Sequence, residues 1–178
     1  MDDIRPSGNI RGCGDRELFD LVRTMRRYAR SLAGNDADAD DLVQETLKRA
    51  LTYFEEDREI GNLRSYLFTI LHNVRVDMLK RQLRAGTEVA VEETSLVSGV
   101  SPQQDRVICR QVIAAMQRLS EEHRQVLLLI GLEEMSYRET AEILGLPLGT
   151  VMSRLNRART TLRALLGLEG RLELDGPP

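Results

Sequence analysis

Residues 136–163 read SYRETAEILGLPLGTVMSRLNRARTTLR, and their pattern decides the fold. The spacing predicts a short helix from Tyr137 to Leu144. Gly145 and Pro147 interrupt it, since glycine is favoured just past a helix end and proline cannot continue one. A second helix is predicted from near Leu148 to beyond Arg163. Val151, Leu155, Ala158, Leu162 and Leu165 recur at alternating steps of four and three, so they form one buried stripe. At about 100° per residue, Ser153, Asn156 and Arg157 point away from that stripe, with Met152, Thr160 and Arg163 beside them. Arg154 lies on one flank and Arg159 on the other. From Thr150 to Arg163 there are four arginines and no acid. A short helix, a turn and a basic, amphipathic second helix make a helix-turn-helix, whose second helix enters the DNA major groove. The competing reading is an αα-hairpin whose arginines are a solvated face. The rest of the chain weighs toward DNA.

The chain has 178 residues, which suits one large domain or two small ones. Hydrophobic residues make up 42% and aromatic residues only 4%, with no Trp. With Leu, Arg, Glu and Ala dominant, that favours an all-α protein with modest helical cores. No apolar run approaches the roughly 18 residues of a membrane span. The opening MDDIRPSGNIRGCGD lacks the apolar core of a signal peptide, so cytoplasmic residence is expected.

The net charge of −3 argues against a uniformly basic coat, yet the charges are segregated. Asp36, Asp38, Asp40, Asp41 and Glu45 crowd one stretch. Arg64, Arg75, Lys80, Arg81 and Arg84 fall in another that holds only Asp77 as an acid. Residues 86–105 carry Glu88, Glu92, Glu93 and Asp105 and no base. Alternating acidic and basic patches suggest at least two kinds of partner. Cys13, Cys109, His72 and His123 show no metal-ligand spacing. Phosphate-loop, nucleophile-elbow and zincin motifs are missing. Neither a metal, a cofactor nor a catalytic site is expected, and the chain does not read as an enzyme.

Residues 1–15 read as a flexible tail. A helix follows from about Arg16 to Ala33, with Leu18, Leu21, Val22, Met25, Ala29 and Leu32 as its apolar face and Gly34 and Asn35 as its stop. The next helix is predicted to start with Asp38 or Asp40 as cap. Val43, Leu47, Ala50 and Phe54, joined by Leu42 and Leu51, face inward, while Asp41, Gln44, Glu45 and Lys48 face outward. Residues 55–61 read as a charged loop. A third helix runs through NLRSYLFTILHNVRVDMLKRQLR, with Leu63, Leu67, Ile70, Leu71, Val74 and Met78 as its stripe. Residues 85–104 break every periodicity and read as a linker. Two domains are therefore expected, at 16–84 and 105–166. The second opens with Val107, Ile108, Val112, Ala115, Met116 and Leu119 inward, then a cap at Ser120 and a helix over HRQVLLLIGLEE. Residues 167–178 read as a frayed tail.

DADDLVQETLKRAL, then LRSYLFTILHNVRVDMLKR, then LSEEHRQVLLLIGLEEMSYRETAEILGLPLGTVMSRLNRARTTLR resemble an extracytoplasmic-function (group 4) bacterial sigma factor of the sigma-70 family. The resemblance covers roughly residues 16–166. Two signatures in order, with a linker between, are more specific than the helix-turn-helix alone. The opening YARSLAGNDADADDLVQETL and the HNV after LFTIL are similar to alphaproteobacterial members, including the general-stress group.

The resemblance implies that 16–84 is like sigma region 2 and 105–166 like region 4. Asp41, Gln44, Glu45 and Lys48 would then dock on the β′ clamp helices of core RNA polymerase, with the β flap as a second polymerase contact. Asn73 sits where the family captures a flipped −10 base, with residues 55–61 as the other wall. Holding an extruded base stabilises melted DNA. Thr69, Arg75, Lys80 and Arg81 are further −10 candidates. Met152, Ser153, Asn156 and Arg157 align with positions that meet the −35 element, the face already derived from angles. Thr150 joins them at the helix start, while Arg154, Arg159 and Arg163 would hold phosphates. Position 152 is often Lys or Arg in the family, so Met152 loses that contact or makes it apolar. Tyr66 replaces a frequent Trp and Leu51 a frequent aromatic residue. Promoter DNA and an anti-sigma factor are the other implied partners, with a monomer when free of them. The alternatives are a sigma-like decoy that sequesters an anti-sigma factor, and a plain helix-turn-helix regulator, which would need a dimerisation element.

Overall fold

Residues 15–54, 61–85 and 103–168 are described in the computed structural model, and among them every regular element is an α-helix. Most of the expected tails, of the 55–61 loop and of the 85–104 linker fall outside these residues. So do the side chains of Phe54, Val107, Ile108 and both cysteines.

The first helix, α1, spans Asp15–Ala33. Met25, Tyr28, Ala29 and Leu32 recur at helical spacing and are buried. It ends at Gly34, whose φ of +83° is open to glycine but strained for other residues. The cap of α2 (Asp36–Phe54) is Asn35, earlier in the chain than the expected Asp38 or Asp40. Its side-chain oxygen accepts from the Asp38 N–H at 2.7 Å, and its amide donates to the Asp38 carboxylate at 3.0 Å. The acids Asp36 and Asp38 thus sit inside the first turn, where they complement the helix dipole. Leu51 does not face inward but is 60% exposed. It lies roughly 100° around the helix from the buried line of Ala39, Val43, Thr46 and Ala50.

The third helix, α3, spans Leu63–Ala85, with Asn62 accepting from the Ser65 N–H at 3.1 Å. It buries Leu67, Ile70, Leu71 and Val74 as its stripe predicted, and Phe68 as well. Phe68 meets Tyr28 edge to face, with ring centroids 5.2 Å apart and planes at 74°. Then come α4 (Gln103–Gln117), α5 (Glu121–Gly131), α6 (Tyr137–Leu144) and α7 (Leu148–Leu165). Ser120 caps α5 as expected, accepting from His123 N. But α5 stops at Gly131, short of the predicted end at Glu134. The chain turns there because Glu133 is drawn inward and Glu134 takes a φ of +52°.

Helices α1 to α3 pack on one another, as do α5 to α7. The two sets also meet, α1 against α5 and α3 against α6, and one buried apolar cluster runs through both. Polar bonds cross the same boundary. Arg124, nearly buried on α5, donates to Leu32 O at 2.9 Å, to Leu119 O at 3.1 Å and to the Gln117 side chain. Gln117 in turn donates to Ser31 O at 3.0 Å. These donors satisfy carbonyls at the C-terminus of α1, which no intrahelical partner can reach.

Half-buried His72 on α3 lies at that boundary, facing Glu121 and Gln125 of α5, with Arg75 three residues along its own helix. Burial holds its imidazole below the ordinary value, outweighing the pull of Glu121 and Gln125. Above about 6.5 the ring is neutral folded or unfolded, and its packing contributes fully. As pH falls past that point the unfolded chain takes the proton first, so stability is lost until the folded pKa is reached. Urea unfolding at a series of pH values should show this decline, and His72→Gln should flatten it. An unchanged slope in the variant would assign the decline to other groups.

Candidate nucleic-acid interface

The helix-turn-helix is held by local polar bonds. Ser136 Oγ accepts from Glu139 N at 3.2 Å, and the Glu139 carboxylate accepts from Ser136 N at 2.9 Å and Oγ at 2.7 Å. That reciprocal box fixes the start of α6. The same bonds, the Ser136 hydroxyl first, hold the Glu139 carboxyl below its usual range. At the other end Gly145 takes φ +62°, and the Leu146 N–H reaches Ala141 O at 2.9 Å. Pro147 O then accepts from the N–H groups of Thr150 and Val151 at 2.9 and 3.2 Å, starting α7.

Val151, Leu155 and Ala158 are buried, and Leu162 and Leu165 half-buried or at the edge of the packed face, so the predicted stripe is the side of α7 turned toward the rest of the chain. Met152, Ser153, Asn156, Arg157, Arg159, Thr160 and Arg163 lie on the remainder. Ser153 Oγ donates to Thr150 O at 3.0 Å. Thr150 is half-buried, and so is Arg154, which pairs with Glu122 at 2.9 Å. The arginines and Asn156 thus project from a rigid helix anchored on α5, as a groove-reading helix requires.

The residues proposed for −10 contact divide. Asn73, Lys80 and Arg81 are exposed on α3. Thr69 is half-buried, its hydroxyl donating to Ser65 O at 2.9 Å. Arg75 is elsewhere: its side chain is 4% exposed and pairs with Glu121 at 2.9 and 3.3 Å. On α2, Asp41, Gln44 and Lys48 face outward, while half-buried Glu45 accepts from Arg49 at 3.0 Å. Arg49 also donates to Asp77 at 3.0 Å, and the two carboxylates, Asp77 first, hold its guanidinium above the ordinary value.

Sequence reasoning missed Glu133, a carboxylate with no side-chain exposure, and its pairing with Arg27 and Arg64. The sequence places Glu133 at the end of the helix predicted over HRQVLLLIGLEE, and nothing there distinguishes an inward acid from an outward one. Among the described residues no group of acids, histidines and cysteines could hold a metal, and no helix is long and apolar enough to cross a membrane.

Residues 109–162 match the family described as Sigma-70, region 4, and residues 20–72 match the Sigma2 domain of PhyR. Fold and matched segments together define a sigma-70-type protein, with its region 2 and region 4 parts in order. The ECF RNA polymerase sigma factor EcfG of Rhodopseudomonas palustris is 38% identical over 158 residues, 86% of this chain and 85% of that one. The ECF sigma factor SigM of Mycobacterium tuberculosis is 32% identical over 159 residues, covering 86% and 80%. The sigma factor RpoE of Bartonella quintana, solved in complex with the anti-sigma factor NepR, superposes with a TM-score of 0.70 at 33% identity, covering 86% of this chain and 96% of that one. The chain belongs to the ECF RNA polymerase sigma factors, a family of non-enzymatic transcription-initiation factors.

Proposed function

We propose that this sigma factor directs bacterial core RNA polymerase, in the cytoplasm, to promoters with paired −35 and −10 elements, through two separable units at 16–84 and 105–166. The observation that carries this is the outward face of α7, where Asn156, Arg157 and Arg159 stand exposed opposite a buried stripe, with Arg163 farther along. Arg reads guanine edges and Asn adenine edges in the major groove. Arg159 and Arg163, toward the helix end, hold phosphates and set the register. Asp41, Gln44 and Lys48 on α2 meet the polymerase clamp, and α5 to α7 take the β flap as the second polymerase contact. Asn73 receives the extruded −10 base, and Lys80 and Arg81 lie farther along the same helix. An anti-sigma factor restrains the chain, as NepR is bound to the related RpoE. Free of partners, the chain is a monomer.

Asn73→Ala should leave polymerase affinity unchanged but lower open-complex formation, because unstacking a base costs a few kcal/mol that its pocket offsets. Permanganate reactivity of −10 thymines equal to wild type would remove Asn73 from that role.

One observation favours a second reading. The match of residues 20–72 is to the Sigma2 domain of PhyR. A sigma-like decoy would bind an anti-sigma factor without directing transcription. The direct test mixes the purified chain with core polymerase and a random promoter library and sequences the transcripts. Discrete starts with shared −35 and −10 motifs support the promoter reading. Polymerase binding without transcripts supports the decoy. DNA binding without polymerase binding supports a plain helix-turn-helix regulator.

A further inference from the structure

We infer that Glu133 pins a closed state in which the two halves of the chain restrain each other without any partner. Glu133 follows α5, yet its carboxylate is fully buried against the other half. It accepts from Arg27 of α1 through Nε at 3.3 Å and Nη2 at 3.1 and 3.2 Å. It accepts from Arg64 of α3 at 3.3 Å, and its backbone carbonyl takes the same Arg64 nitrogen at 2.6 Å. Arg27 also reaches Leu132 O at 3.3 Å. A second clasp, Arg75 with Glu121, closes the boundary near the other end of α5.

The three charges at Glu133 are not equivalent. Arg27 and Arg64 are 55% and 43% exposed, so they keep much of their hydration when closed. Glu133 keeps none, and its desolvation is offset only while both arginines are in place. When the halves part, all three return to water. The contact is therefore a reversible latch, sensitive to anything that engages either side.

Its consequence rests on the promoter reading. The −35 and −10 elements lie, by their names, about 25 base pairs apart, or about 85 Å at about 3.4 Å per pair. A compact chain of this length has a radius of gyration of about 16 Å and is about 40 Å across. A closed body cannot touch both elements, and in it Arg75 is withheld from solvent. Opening must precede promoter engagement. The apparent affinity for polymerase is then reduced by the fraction of chain that is open.

The test uses the full chain and two variants. Glu133→Gln removes the charge at nearly constant size. The double variant Arg27→Ala, Arg64→Ala strands the carboxylate in the closed state only. Small-angle X-ray scattering should give a wild-type radius of about 16 Å. Both variants should be larger, with helicity retained, and should bind core polymerase about fivefold tighter or more. If either loses helicity, Glu121→Gln, which weakens the second clasp and leaves the Glu133 bonds in place, should still expand the chain. An already extended wild type, or equal radii and affinities throughout, overturns the latch. Expansion in the variants with no polymerase binding by any form upholds the latch and overturns the polymerase reading instead.

Discussion

Replacing Asn156 and Arg157 together by alanine is expected to abolish most of the preference for the cognate −35 element while leaving the fold intact. Both side chains are exposed on α7, and their neighbours Leu155 and Ala158 are buried. Alanine is the best helix former, so the helix and its anchoring on α5 survive the change. Each well-placed bidentate contact is worth about 1–3 kcal/mol of discrimination against the wrong base. Two independent contacts would give about 2–6 kcal/mol, or about 30-fold to 20,000-fold in the preference ratio. Adjacent residues couple, so the measured value should fall below the sum of the single effects by as much as they share a base step. Competition between cognate and scrambled −35 fragments for the reconstituted holoenzyme reads this ratio. The contrast lies farther along the helix. Arg159→Ala or Arg163→Ala should weaken both fragments alike and reduce the salt slope by about one. A double variant that keeps the wild-type ratio would place base reading on other side chains.

That exposed face of α7 is legible in the sequence because it depends on one helix and its period. Val151, Leu155 and Ala158 announce the buried side, and the residues opposite them are exposed. The turn of the helix-turn-helix is equally plain, since Gly145 occupies the left-handed cap that glycine suits. Helix α3 is harder to read. It is covered by α2 on one side and α6 on another, so its buried surface is wider than one stripe and takes in Phe68. The start of α2 is ambiguous because Asp38 and Asp40 both look like caps, while the true cap, Asn35, also looks like the stop of α1. Arg75 resembles a DNA contact because charge on a helix does not name its partner. Its partner is Glu121, 46 residues away. The Glu133 latch is illegible for the same reason, since its bonds join residues 106 and 69 positions apart and no local period carries them.

Phe68→Ala is expected to be the most destabilising single change at the boundary. The ring is 1% exposed and meets Tyr28 edge on. The Arg64 guanidinium lies 5.9 Å from its centroid, so the ring also supports one arm of the Glu133 latch. Truncating a buried phenylalanine typically costs about 3–5 kcal/mol, from lost transfer energy and the cavity left behind. For a chain of this size that is about 6–20 °C in melting temperature. Phe19→Ala is the matched control: at 74% exposure its loss should stay within about 0.5 kcal/mol. Urea unfolding of both variants followed by circular dichroism decides the matter. The burial of Phe68 beneath Arg64 also predicts a second effect that Phe19 cannot produce. A subset of Phe68→Ala chains that remain folded should be expanded in solution, because Arg64 loses its platform and Glu133 keeps only Arg27. A stability loss under about 1 kcal/mol would mean that the ring is solvated rather than packed.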